Sequence, residues 1–292
     1  MFESIKNNKL KCGMIISFFI LLITFIVYYI CMAFDFGYIS IIIAFIFSII
    51  SAYILYYNCD EIVLSMNKAR PATPEEYKKL NNILDSLIIS SGLSYRPKLY
   101  VVDDNQPNAF ATGRNPEHSV ICVTTALLDK LEYYELEGVL AHELSHIFNY
   151  DIRLSAIITV MVGTIVMLSD IFSRSLFSSR RKSNDDNKGN SFIMIIGLIC
   201  LILSPIFSKL LQLAISRKRE YLSDATAIQF TRNPDGLISA LRKISSDPNE
   251  LKTASNSTAH MYISNPFRKK KTNLLSTHPD IEDRIRALQN LK

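Results

Sequence analysis

The sequence predicts a mainly α-helical membrane protein of α+β type, with four candidate transmembrane helices and a soluble part holding a small β-sheet. Three observations predict it. Four stretches of the 292-residue chain are nearly free of charge, at 13–34, 38–57, 155–172 and 191–213. Each approaches or exceeds the roughly 18–20 apolar residues that cross a bilayer core of about 30 Å. The mean hydropathy is positive, at +0.17. Trp is absent, and Tyr28, Tyr29, Tyr38, Tyr53, Tyr56 and Tyr57 lie near the ends of the first two stretches, where an interfacial belt belongs.

Lys6, Lys9 and Lys11 precede the first stretch and put the N-terminus on the cytoplasmic side. The apolar run exceeds a secretory h-region and no small-x-small site follows it, so it reads as a retained anchor. Asp35-Phe36-Gly37 is the only link to the second stretch, so residues 1–60 form a transmembrane hairpin. The next part, 61–154, reads as half of a soluble domain. Thr73-Pro74-Glu75-Glu76 is a helix start, with Thr as N-cap, Pro at the first position and Glu at the third. Leu80, Ile83, Leu84, Leu87 and Ile88 carry that helix to Ser91-Gly92. Residues 98–102 and 119–123 read as strands, and 126–131 as a short helix capped by Thr124-Thr125. A longer helix covers 135–150 and is expected to run almost straight into the third apolar stretch.

Residues 155–213 read as a second hydrophobic hairpin, kinked at Pro205. Its connecting loop is net basic. Two full crossings would place that loop outside, against the positive-inside tendency, and a hairpin only partly in the membrane is the alternative. Residues 214–292 form the second half of the soluble domain. Helical segments start at Ser216, at Asn233-Pro234 and at Thr277-His278-Pro279, with a long irregular stretch before the last.

The formal net charge of +5 belongs to lysines and arginines flanking apolar segments and gives no reason to expect a nucleic-acid partner. The five cysteines are scattered and form no CxxC pair, which supports neither a disulfide framework nor a thiolate metal site.

Chemistry concentrates in His142-Glu143-Leu144-Ser145-His146. On a helix the two histidines project from one face and can hold one zinc ion. Glu143 can take a proton from water held there. A catalytic zinc needs a third protein ligand. Asn149 and Ile152 stand where a metzincin would carry Gly and His, so that class is excluded. Three glutamates follow His146. Glu250 sits in an Asp-Pro-Asn loop and Glu282 on a charged helix. Glu220 sits on a helix that follows the second hairpin, with Asp224 one turn on. Both could instead pair with Arg217 and Lys218 at the surface. Beside the histidine motif, Glu220 is the expected ligand and Asp224 the expected carboxylate behind a ligand ring.

These residues, with Ser216-Arg217-Lys218-Arg219-Glu220-Tyr221, resemble the HtpX membrane zinc metalloproteases, relatives of the type I CAAX prenyl proteases. Asn108-Ala109-Phe110-Ala111-Thr112-Gly113 and His278-Pro279 with Arg284-Ile285 match as well. The resemblance covers nearly the whole chain. It implies a zincin-type catalytic domain, one Zn²⁺ ion on His142, His146 and Glu220, and Glu143 as general base. It further implies that Asn108, Ala109, Phe110 and Ala111 form a substrate-binding edge strand, with Asn108 and His278 as candidate donors to substrate or oxyanion. Misfolded or damaged membrane proteins are then the expected substrates, and the active site faces the cytoplasm. A prenyl-protein processing protease and an inactive membrane scaffold are the alternatives. Ser223 stands where the family often carries alanine. His118 and His260 read as structural.

Overall fold

Four strands frame the soluble part of the computed structural model, which describes residues 2–33, 37–179, 216–267 and 279–291. They are β1 (Arg70–Pro71), β2 (Lys98–Val102), β3 (Ala109–Asn115) and β4 (His118–Thr124), in the order β1-β2-β4-β3. β2 and β4 run parallel and the other pairs antiparallel, so the sheet is mixed and β3 is an edge strand. Gly113 makes the register shift near the end of β3 possible. Its φ is +141°, and a Cβ there would lie 2.2 Å from the His118 carbonyl oxygen, so only glycine fits.

Helices close over this sheet. α1 (Phe2–Ala33), α2 (Ser40–Tyr57) and α3 (Cys59–Met66) precede it, and α4 (Pro74–Ser91) follows β1. α4 starts with the expected capping box: Thr73 accepts from the Glu76 N–H while Glu76 accepts from the Thr73 N–H. It ends at Gly92, left-handed at φ +68°. After α5 (Thr125–Lys130) come α6 (Tyr133–Phe148), α7 (Asp151–Ser179), α8 (Arg217–Thr231), α9 (Pro234–Ser246) and α10 (Ile281–Gln289). Leu80, Ile83, Leu84 and Leu87 of α4 meet Leu136, Leu140 and Leu144 of α6 in one buried core. Leu237 and Leu241 of α9 and Leu288 of α10 complete it. Burying each such side chain contributes about 1.5–3 kcal/mol.

Two helices in the described residues are long and apolar enough to cross a membrane, Asn8–Tyr28 and Ser40–Tyr57. They pack against each other. Ser40, Ala44, Ser48 and Ala52 form the buried stripe of α2, and Thr24 meets Ser48 at 2.5 Å. The large side chains Ile42, Phe45, Ile46 and Phe47 point outward. Small residues at every fourth position allow close helix approach in lipid.

The third apolar stretch lies within α7, but the motif helix does not run straight into it. α6 and α7 meet at 84° across a short break. Asn149 and Tyr150 end α6 by donating to Ser145 and Ile147, and Tyr150 turns left-handed at φ 60°. The bend keeps α6 in the soluble core while α7 lays Leu154, Ile158 and Met161 against α1. Among the described residues, two helices stand alone as candidate spans on length and composition, or three if the bent pair counts as one span. The fourth stretch, Pro205, the basic loop from residue 180 and His278 lie outside the described residues.

Candidate metal centre

His142 and His146 project from one face of α6, as their spacing requires. Their Nε2 atoms converge to 3.2 Å. Glu220, on the first turn of α8, brings Oε2 to 3.7 Å from His142 Nε2 and Oε1 to 3.7 Å from His146 Nε2. One atom from each of the three lies within 4.8 Å of the others. Tetrahedral zinc with bonds of about 2.0–2.1 Å to nitrogen separates its ligand atoms by about 3.4 Å. The donor set and its spacing therefore fit one such ion.

The far nitrogen of each ring is held. His142 Nδ1 faces Asp224 Oδ1 at 2.9 Å. Arg284, completely buried on α10, grips Asp224 through Nε at 2.8 Å and Nη2 at 2.6 Å. Its Nη1 donates to the Ile263 carbonyl at 2.9 Å and lies 3.7 Å from Glu220. Burial opposes ionisation of Asp224, but Arg284 and His142 hold its carboxyl well below the usual range. Burial also lowers the His142 pKa, against the pull of Asp224. The 2.9 Å contact suits an Nδ1–H donated to Asp224, which leaves the Nε2 lone pair for the centre.

His146 Nδ1 faces two oxygens, Ser223 Oγ at 3.1 Å and Asp151 Oδ2 at 3.3 Å. Burial alone would depress its pKa, yet Asp151 and Glu220 raise it to about 9. A metal takes the deprotonated ring, so binding couples to proton release wherever the ring is charged.

Glu143 is buried under the β3 edge and accepts from the Ala111 N–H. Burial, with Glu220 nearby, pushes its carboxyl up to about 7 despite the opposing pull of His146 and Arg284. A carboxylate so placed can exchange a proton near neutrality.

Asn108 is fully buried and turned toward the chain itself. Its Nδ2 donates to the Ser264 carbonyl at 3.0 Å, and its Oδ1 accepts from Ala109 N at 3.1 Å. The Ile263 N–H donates to the Ala109 carbonyl at 2.9 Å, and Phe110 forms an antiparallel bridge with Tyr262. The outer edge of β3 is thus paired from Asn108 to Phe110 by residues 262–264. Ala111 instead lines the cavity, with His142, Glu143, His146, Glu220 and Tyr262. His260 borders the same cavity, which its place in an irregular stretch gave no reason to expect.

Three partners escaped the sequence reading. Asp151 stands five residues beyond His146 across the bend, and that proximity was its only signal. Ser223 follows Glu220 by three residues, and its only mark in the sequence is that it stands where alanine is common. Arg284 lay in a matched motif, but nothing in one sequence pairs it with Asp224.

Residues 74–292 match the model of peptidase family M48. A protease HtpX homolog from Dictyoglomus thermophilum is 45% identical over 288 residues, covering 99% of this chain and 94% of its own length. One from Caldanaerobacter subterraneus subsp. tengcongensis is 42% identical over 295 residues, covering 100% and 98%. The crystal structure of S. mikatae Ste24p shares the fold at a TM-score of 0.51 and 20% identity, covering 99% of this chain and 67% of that one. The chain belongs to peptidase family M48 and is, with its apolar helices, a membrane protease.

Proposed function

We propose that the chain is a zinc-dependent endopeptidase that hydrolyses misfolded or damaged membrane proteins from the cytoplasmic face. The convergence of His142, His146 and Glu220, with buried Glu143 beside them, carries the reading. Zinc, one ion per chain, would act there as a Lewis acid toward the scissile carbonyl and would lower the pKa of the attacking water. Glu143 takes the proton of that water and returns it to the leaving amine, for which a carboxyl near 7 is suited. Asp224 and Asp151 fix the histidine rings, so the ligand atoms need no reorganisation. An extended substrate would add to β3 from Ala111 onward, where the edge faces the cavity. Main-chain pairing is tolerant of sequence, as clients with varied cleavage sites demand. Asn108 would reach such a substrate by exchanging its bond to Ser264, and His278 is proposed as a donor to the oxyanion. The lysines before α1 support the cytoplasmic orientation. The domain boundaries near 60, 154 and 213 follow the same scheme, in which two hydrophobic segments interrupt one catalytic unit.

The test is Glu143→Gln in the detergent-solubilised chain. It should keep its zinc and cleave unfolded casein about 10²–10⁴-fold more slowly. Equal cleavage by mutant and wild type would sink the mechanism. An inactive scaffold would show no cleavage in either.

A further inference from the structure

The N-terminal helix reaches the metal centre. Asn8 is 5% exposed at the start of the first apolar span. Its Nδ2 donates to Asp151 Oδ1 at 2.9 Å, across 143 residues of chain. Asp151 Oδ2 is the atom facing His146 Nδ1. Arg219 Nη1, on the Glu220 helix, lies 3.4 Å from Asp151 Oδ1. Next to Asn8, the Lys9 ammonium sits 5.2 Å from the centroid of the Tyr150 ring, on the bend between α6 and α7. Beyond these two residues the α1 face is apolar: Cys12, Ile15, Phe19 and Ile23 pack in one cluster with Leu154, Ile157, Ile158 and Met161 of α7.

We propose that Asn8 is a positioning residue for the metal centre, acting through Asp151 on His146, so that the first membrane helix is a working part of the site. The proposal rests on the zinc reading above. The physical case is one of satisfaction and rotation. A carboxamide on an apolar helix is costly unless bonded, and this one spends its donor on a carboxylate at the first residue of α7. That carboxylate could turn freely about its side-chain torsions. Asn8 and Arg219 hold one oxygen, which leaves the other aimed at the imidazole. Ser223 Oγ shares the same Nδ1, so losing Asn8 removes orientation rather than the last partner of the ring. Carboxylates behind metal-bound histidines are typically worth 10–100-fold in metal affinity or activity.

The experiment measures zinc dissociation constants of the full chain in detergent by competition with a chromophoric chelator. The absorption spectrum of the Co²⁺-substituted protein is read alongside. Asn8→Ala is expected to weaken zinc about tenfold and to shift the Co²⁺ bands, as is Asp151→Asn. The double variant should be no weaker than Asp151→Asn alone. Cys12→Ala, which loosens the same helix face without touching Asp151, should stay within about twofold of wild type. Asn8→Ser, with a shorter donor, should fall between Asn8→Ala and wild type, and it carries the test if Asn8→Ala does not fold. Wild-type affinity in Asn8→Ala or Asn8→Ser, additive losses in the double variant, or an equal loss in Cys12→Ala would each overturn the proposal. A wild-type chain that holds no zinc would instead overturn the metal-centre reading itself.

Discussion

Arg284 concentrates more of the site than any side chain the sequence singled out. It bonds both oxygens of Asp224 and the Ile263 carbonyl, and approaches Glu220, with no exposed surface. Removing one partner of a buried pair leaves an uncompensated charge, at a cost of about 3–5 kcal/mol. Arg284→Ala should therefore lower the melting temperature sharply. Arg284→Lys keeps the charge and loses the two-pronged grip. It should stay folded and bind zinc more weakly, and a melt combined with a zinc assay separates the two effects. Ser223→Ala should change zinc affinity little, because Asp151 still faces His146 Nδ1. The two histidines and the base were legible because their spacing on one helix is itself the chemistry, whereas Glu220, on α8, stood out only as one of three later glutamates. The supports were not, because Asp151, Ser223 and Arg284 reach the site through a bend and through packing between α6, α8 and α10. A buried Arg–Asp pair 60 residues apart leaves no local pattern.

Helix starts were readable because caps are local, as at Thr73 and Thr124. Two element-scale features were not. The bend at Asn149-Tyr150 lacks glycine or proline, the usual breakers. The pairing of residues 262–263 with β3 comes from a stretch without periodicity. The start of α4 makes a measurable claim. Arg70 bonds Glu76 at 2.8 Å and Asp103 at 2.7 Å, tying β1 to α4 and to the chain just after β2. That bonding lowers the Glu76 pKa from its ordinary 4.5 to about 2. Because the folded value is the lower one, its stabilisation is present above about pH 4.5 and is lost as pH falls toward 2. The difference in unfolding free energy between wild type and Glu76→Gln should be constant from pH 7 to about 5. It should shrink below that, from about 1–2 kcal/mol for this part-exposed pair. A difference that grows on acidification would contradict the pairing. Gly138→Ala probes the other side of the core. Its added Cβ would lie 2.8 Å from the Leu237 backbone nitrogen, so α9 must shift. A loss of about 1–3 kcal/mol in denaturant unfolding is expected.

At the scale of the molecule, the site is a clasp between distant parts of one chain. α6 brings His142 and His146 and α8 brings Glu220, the three candidate ligands, while α10 brings the arginine behind them and α1 the amide behind Asp151. The apolar stretches were visible in the sequence because length and hydropathy need no partner. Which of them would touch the site was not visible, because that depends on how α1 lies along α7. A clasp of this kind predicts strong linkage between metal and folding. Only the folded chain brings the three ligands together, so zinc stabilises by an amount that grows with the logarithm of its concentration over its dissociation constant, about 4 kcal/mol at a thousandfold excess. Chelation should lower the melting temperature of the detergent-solubilised chain, and added zinc should restore it. Glu143→Gln should show the full zinc-dependent shift, because Glu143 is not a ligand. Glu220→Ala should lose most of it, because α8 then no longer closes on α6 through the metal. A full shift in Glu220→Ala would mean that the zinc which stabilises the fold is held by a different set of residues.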